Sequence, residues 1–197
     1  MLDNEVELKE KKTTEVYFNH IVLDKLKQKY IAFDTETTGF SFTNDRIIEL
    51  GAVLFENGKI TKRFGTLVNA KINISPEVSL INHITNDMIS SAPSEKEAYE
   101  KFIEFLDDAL DGNTIICAHN AKFDMGFLTE TFKRLGISAN IKYIDTLYLS
   151  RKLVKGLYNY KQDTVAKHFG IINKESHRAV TDAETCGKIL WNLLQLK

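Results

Sequence analysis

Five residues spread along the chain have the types and spacing to do chemistry together. Asp34 and Glu36 stand in Tyr30-Ile31-Ala32-Phe33-Asp34-Thr35-Glu36-Thr37-Thr38-Gly39, and Asp124 in His119-Asn120-Ala121-Lys122-Phe123-Asp124. His177 and Asp182 stand in His177-Arg178-Ala179-Val180-Thr181-Asp182. Each carboxylate lies inside or beside an apolar run, where an ionised acid is costly to bury. A divalent cation makes several such burials tolerable at once. The pattern fits two-metal phosphodiester chemistry better than a structural role.

Asp34 and Glu36 are two apart on an expected strand, so both side chains leave one face with Cα atoms ~6.8 Å apart. Two acids on one face repel unless something positive sits between them, and hard cations prefer oxygen ligands. Gly39 after Thr37 and Thr38 suggests a turn whose hydroxyls and N–H groups could meet a nucleotide. Asp124 lies just past the fourth expected strand, where ligands collect in open α/β sheets. An acid in a helix's first turn is also simply good capping. Asn120 and Phe123 beside it offer an amide and a stacking ring. Cys186, Ile189 and Leu193 follow Asp182 at i+4, i+7 and i+11, so this acid occupies the apolar stripe of the last helix. His177, where the chain approaches that helix, could take a proton from water near pH 7. His20, His83, His119 and His168 have no comparable setting.

The elements that must position these groups are legible in outline. Tyr30 to Phe33, Arg46 to Phe55 and Ile60 to Val68 read as three strands, the last two joined by Glu56-Asn57-Gly58-Lys59, a hairpin signal. Helix starts follow at Ser75-Pro76-Glu77, Thr85-Asn86-Asp87 and Ala92-Pro93-Ser94-Glu95, the last with Ser94 and Glu97 spaced as a capping box. Thr114 to Ala118 and Ile141 to Ile144 complete five strands. Helices are expected over Phe123–Leu135 (stopped by Gly136), Thr146–Leu153, Lys161–His168 and Ala179–Leu196. A three-strand antiparallel meander followed by alternating helix and strand predicts an α/β fold, a five-stranded mixed sheet flanked by helices. Residues 1–29 read as an N-terminal arm or helix, frayed over the first dozen, with Val16, Phe18, Val22 and Leu26 to pack on the core; residues 30–197 form the main domain.

A chain of 197 residues, 43% hydrophobic and 27% charged, is an ordinary single globular domain. No apolar run approaches the ~20 residues that span a bilayer. The charged N-terminus shows no secretory signal, and Cys117 and Cys186 read as small core residues in a reduced, cytoplasmic protein. Net charge is −1, but Lys142 to Arg178 carries eight bases against three acids. That local excess suits a surface that follows phosphates, and equally a solvated helix face.

Together the three motifs resemble those of the DEDD superfamily of 3′–5′ exonucleases, in its histidine-containing branch, and are most similar to the epsilon-type proofreading exonucleases of bacterial DNA polymerase III. The likeness runs from about Tyr30 to Leu196. The sister branch places a Tyr four residues before the last Asp, where this chain has Arg178. The resemblance implies an RNase H-like fold and two Mg²⁺ or Mn²⁺ ions held by Asp34, Glu36, Asp124 and Asp182. It implies His177 as general base, releasing 5′-mononucleotides from 3′ ends of single-stranded or frayed DNA. Thr37, Thr38, Phe40, Asn120 and Phe123 match positions that contact the terminal nucleotide, and Thr35, Gly39 and Asn82 complete that set. Relatives often read His-Gly-Ile where this chain has Asn82-His83-Ile84, so Asn82 would have to take over a substrate contact there. The chain ends with its last helix, without the tail by which an epsilon subunit joins its polymerase; that favours a stand-alone enzyme or an excised module, with a polymerase partner open. An RNA-trimming exonuclease of the same branch and a catalytically silent 3′-end-binding module for a polymerase are the competing readings.

Overall fold

A computed structural model describes residues 12–172 and 177–197. The first eleven residues of the expected frayed segment, and Lys174 and Glu175 of the basic stretch, lie outside them. The described chain forms one mixed sheet with helices on both faces, its strands ordered β1-β6-β5-β2-β3-β4. The three-strand meander is β2 (Lys29–Thr37), β3 (Ile47–Glu56) and β4 (Lys59–Leu67), antiparallel throughout. Asn57 and Gly58 make the β3–β4 turn with φ of 51° and 75°, which explains the Asn-Gly pair. β5 (Ile115–Ala118) and β6 (Asn140–Asp145) add in parallel on the other side of β2.

The five-strand expectation needs one correction. Lys12–Glu15 forms β1, a sixth strand pairing in parallel with the outer edge of β6. Four polar residues with no apolar alternation gave no strand signal; the pairing comes from the unoccupied edge of β6. Next comes α1 (His20–Gln28), which packs Val22, Leu23 and Leu26 against the core.

The alternation of β2 decides what each face receives. Ile31 and Phe33 point into a cluster with Tyr99, Phe102, Met125 and Leu128, from α4 (Glu95–Leu106) and α5 (Ala121–Leu135). Tyr30 and Ala32 point the other way, into a cluster with Cys186, Ile189, Leu190 and Leu193 of α8 (Ala179–Gln195). Cys117 and Cys186 are free, buried thiols on this second side. Ser75, Thr85 and Ser94 cap α2 (Pro76–Asn82), α3 (Asn86–Ser90) and α4, with the Ser94–Glu97 capping box in place. α6 (Thr146–Leu153) and α7 (Gln162–His168) lead toward α8. Among the described residues no helix is long and apolar enough to cross a membrane.

Candidate active site

Strand alternation carries straight into the site. Asp34 and Glu36 continue the Tyr30–Ala32 face, which meets α8, while Thr35 between them shares the face that meets α5. Accordingly Asp34, Glu36 and Asp182 each bring a carboxylate oxygen within 4.8 Å of the others. Thr35 Oγ1 instead donates to Asp124 Oδ1 at 2.8 Å, across the end of the sheet. Asp124 therefore stands beside the trio of closest oxygens, not within it. All four acids line one open cleft of ≈ 330 Å³, together with Thr35, Asn120, Phe123 and His177. His119, Lys161, Gln162 and Asp163 complete its lining.

The electrostatics follow from this crowding. Burial, then repulsion from Asp124, Asp182 and Glu36, holds the Asp34 carboxyl well above the usual carboxylate range. Burial and the neighbouring Asp182, Glu49 and Asp124 lift Glu36 to about 8, against a lowering hydrogen bond from the Asn82 amide. Burial lifts Asp124 to about 7, although its bond from Thr35 works the other way. Asp182 is buried at the start of α8; its Oδ2 accepts the His177 N–H at 2.8 Å and its Oδ1 accepts from Gln162 Nε2 at 3.3 Å. An all-oxygen donor set under mutual repulsion is what a hard divalent cation relieves.

His177 is exposed, with φ of 67°, immediately before α8. Asn120 adopts φ of 68° at the start of α5, its N–H given to Asp145 Oδ1 at 3.1 Å. Phe123 packs edge-on to Phe40 at a ring distance of 6.2 Å, and Phe40 is 85% exposed beyond it. Other residues expected at the nucleotide make hydrogen bonds within the protein. Thr37 Oγ1 donates to the Gly39 carbonyl at 2.7 Å, and Thr38 Oγ1 donates to Asp45 at 3.0 Å, so both hydroxyls build the loop after β2. Gly39 sits against the Asp45 carboxyl in that same loop. Asn82 is 2% exposed, its Oδ1 taking the Ile84 N–H at 3.0 Å and its amide turned to Glu36. The physical reason is burial: Asn82 ends α2 beneath the cleft and does not line it.

Sequence reasoning passed over three positions that shape this region. His119 bridges Thr146 Oγ1 at 2.9 Å and the Tyr160 carbonyl at 2.8 Å, tying the end of β5 to the segment that carries Lys161 and Gln162. Burial pushes its pKa down, which suits a neutral ring serving as a strut. Gln162 gave no signal at all. Glu49 gave one, since it interrupts the apolar run Ile47-Ile48-Glu49-Leu50 as Asp34 interrupts its own.

The fold and the acid cluster have the make-up of a metal-dependent hydrolase site, and comparison with known proteins shows which family the chain belongs to. The family model RNase_T, described as Exonuclease, matches residues 31–190, and the chain belongs to this exonuclease family. It is 40% identical over 167 residues to the DNA polymerase III PolC-type protein of Clostridium perfringens, a match covering 85% of this chain. The chain spans 11% of the length of that relative. Among solved structures, Exonuclease X in complex with 5′ overhanging duplex DNA aligns with a TM-score of 0.65 and 24% identity, covering 85% of this chain and 91% of that one. The zinc-bound E. coli ExoI–ssDNA complex aligns with a TM-score of 0.70 and 17% identity, covering 85% of this chain and 40% of that one.

Proposed function

We propose that this domain is a metal-dependent 3′–5′ exonuclease that trims single-stranded or frayed DNA ends to 5′-mononucleotides, in a proofreading or repair setting beside a polymerase. The observation that carries the reading is the convergence of the Asp34, Glu36 and Asp182 carboxylates within 4.8 Å, with Asp124 alongside, in an open cleft. When bound, two Mg²⁺ or Mn²⁺ ions supply charge neutralisation at the scissile phosphate and a more acidic water. The residues that would hold them are Asp34, Glu36, Asp124 and Asp182. His177, at the rim of the cleft, accepts the proton of the attacking water. Phe123 and Phe40 present ring faces and edges on which the last bases of a strand can stack. Lys161 lines the cleft, and Arg151, Lys152, Lys155 and Lys167 of the same basic stretch are exposed and free to meet phosphates. DNA is favoured over RNA by the polymerase relative, and catalysis over silent end-binding by the presence of all five chemical residues.

The test is digestion of 5′-labelled DNA and RNA oligomers of one sequence, and of a circular single strand, with Mg²⁺ and with chelator. The expected result is stepwise shortening of linear DNA from its 3′ end, abolished by chelation, with the circle intact. Equal or RNA-biased trimming overturns the DNA assignment, and cutting of the circle overturns the exonuclease.

A further inference from the structure

Glu49 is a buried carboxylate, 3% exposed, with no part in the chemistry described above. It stands on β3 directly opposite Glu36 in the β2–β3 ladder, on the face that meets α8. Like charges opposed in this way are destabilising, so a carboxylate at this position calls for a compensating interaction. Both of its oxygens are spent on one short stretch of chain. Oε1 accepts from Arg178 Nε at 3.0 Å and Nη2 at 2.7 Å, while Oε2 accepts the Ala179 N–H at 3.0 Å. A guanidinium fork on a carboxylate fixes orientation as well as distance.

Arg178 directly follows His177, whose φ of 67° is a conformation that a non-glycine residue holds only when its surroundings impose it. Two anchors impose it. The His177 N–H is tied to Asp182 Oδ2, and the next two residues are tied to Glu49. Capping α8 would need one oxygen on one N–H. The fork instead reaches past the helix to the side chain adjoining His177. We infer that the Glu49–Arg178 pair is a positioning device for His177, joining the acid-bearing sheet to the histidine-bearing approach of α8 so that the imidazole is presented to the cleft.

This inference rests on His177 as the proton acceptor, and the test separates the two. His177→Ala, Arg178→Ala and the double variant are compared with wild type for kcat and KM on single-stranded DNA. Mn²⁺ affinity is read without substrate by electron paramagnetic resonance. Arg178→Ala is expected to lower kcat about 10–100-fold in the wild-type background. In the His177→Ala background it is expected to change kcat by less than about two-fold, because the route through the histidine is gone. Mn²⁺ affinity stays within about two-fold of wild type. An equal loss in both backgrounds, or a fall in Mn²⁺ affinity matching the fall in kcat, shows that the pair merely supports Asp182 and overturns the inference. A wild type that does not trim removes both readings, whereas normal activity in His177→Ala removes the histidine's role. Should Arg178→Ala fail to fold, Arg178→Lys and Glu49→Gln keep side-chain volume while breaking the fork, and are read in the same way.

Discussion

Three of the acids in the cleft are matched to neutral donors: Thr35 for Asp124, the Asn82 amide for Glu36, and Gln162 with the His177 N–H for Asp182. Neutral donors fix a carboxylate's direction without cancelling the charge that a cation needs. Replacing one should therefore loosen metal binding while leaving the fold in place. Asn82→Ala and Gln162→Leu are each expected to weaken Mn²⁺ affinity about 10–100-fold, read by metal titration. Thermal denaturation should show little change for Gln162→Leu but a lowered melting temperature for Asn82→Ala, which strips the buried Ile84 N–H of its acceptor. Unchanged affinity would show that these amides do not orient the acids. Asp34 and Asp182 were legible as candidates because each breaks an apolar pattern, as in Tyr-Ile-Ala-Phe-Asp. The partners of the acids were not, because a glutamine opening a helix or an asparagine ending one looks the same whether it faces solvent or a carboxylate.

At the scale of elements, the site is built where two elements meet at unusually close range. Gly51, two residues beyond Glu49 on β3, lies against the backbone of Ala179, so any side chain there would collide with the first turn of α8. That contact lets Glu49 reach Arg178 and brings Asp182 to Asp34 and Glu36. Gly51→Ala is expected to displace α8 at a cost of about 1–3 kcal/mol, measured by urea denaturation, and to reduce activity by more than the stability loss explains. Stability and activity both matching wild type would contradict the close packing. Capped helices and the Asn-Gly hairpin were readable from local chemistry, since Ser94, Glu97 and Gly58 carry their own signals. β1 was not, because Lys12-Thr13-Thr14-Glu15 is a strand only through its pairing with β6. Strand order likewise depends on long-range contacts that no window of sequence displays.

For the whole molecule, the cleft couples stability, pH and metal. Glu36 sits at about 8 and Asp124 at about 7 in the metal-free protein, and Asp34 is raised well above its ordinary value, burial being the first cause in each case. A carboxyl with a raised folded-state pKa favours the fold while protonated. That contribution is complete below about 4.5, the ordinary value for Glu36, and is lost as pH rises through about 8. A bound divalent cation reverses the balance by favouring the ionised forms, so metal binding must expel protons. Calorimetric titration of Mn²⁺ into the metal-free protein, at about pH 6 and about pH 8 in buffers of different ionisation enthalpy, tests this directly. The account predicts saturable binding that tightens as pH rises and releases protons at neutral pH, both lost in Asp34→Asn. Absence of binding, or binding indifferent to pH and unchanged in Asp34→Asn, would contradict it.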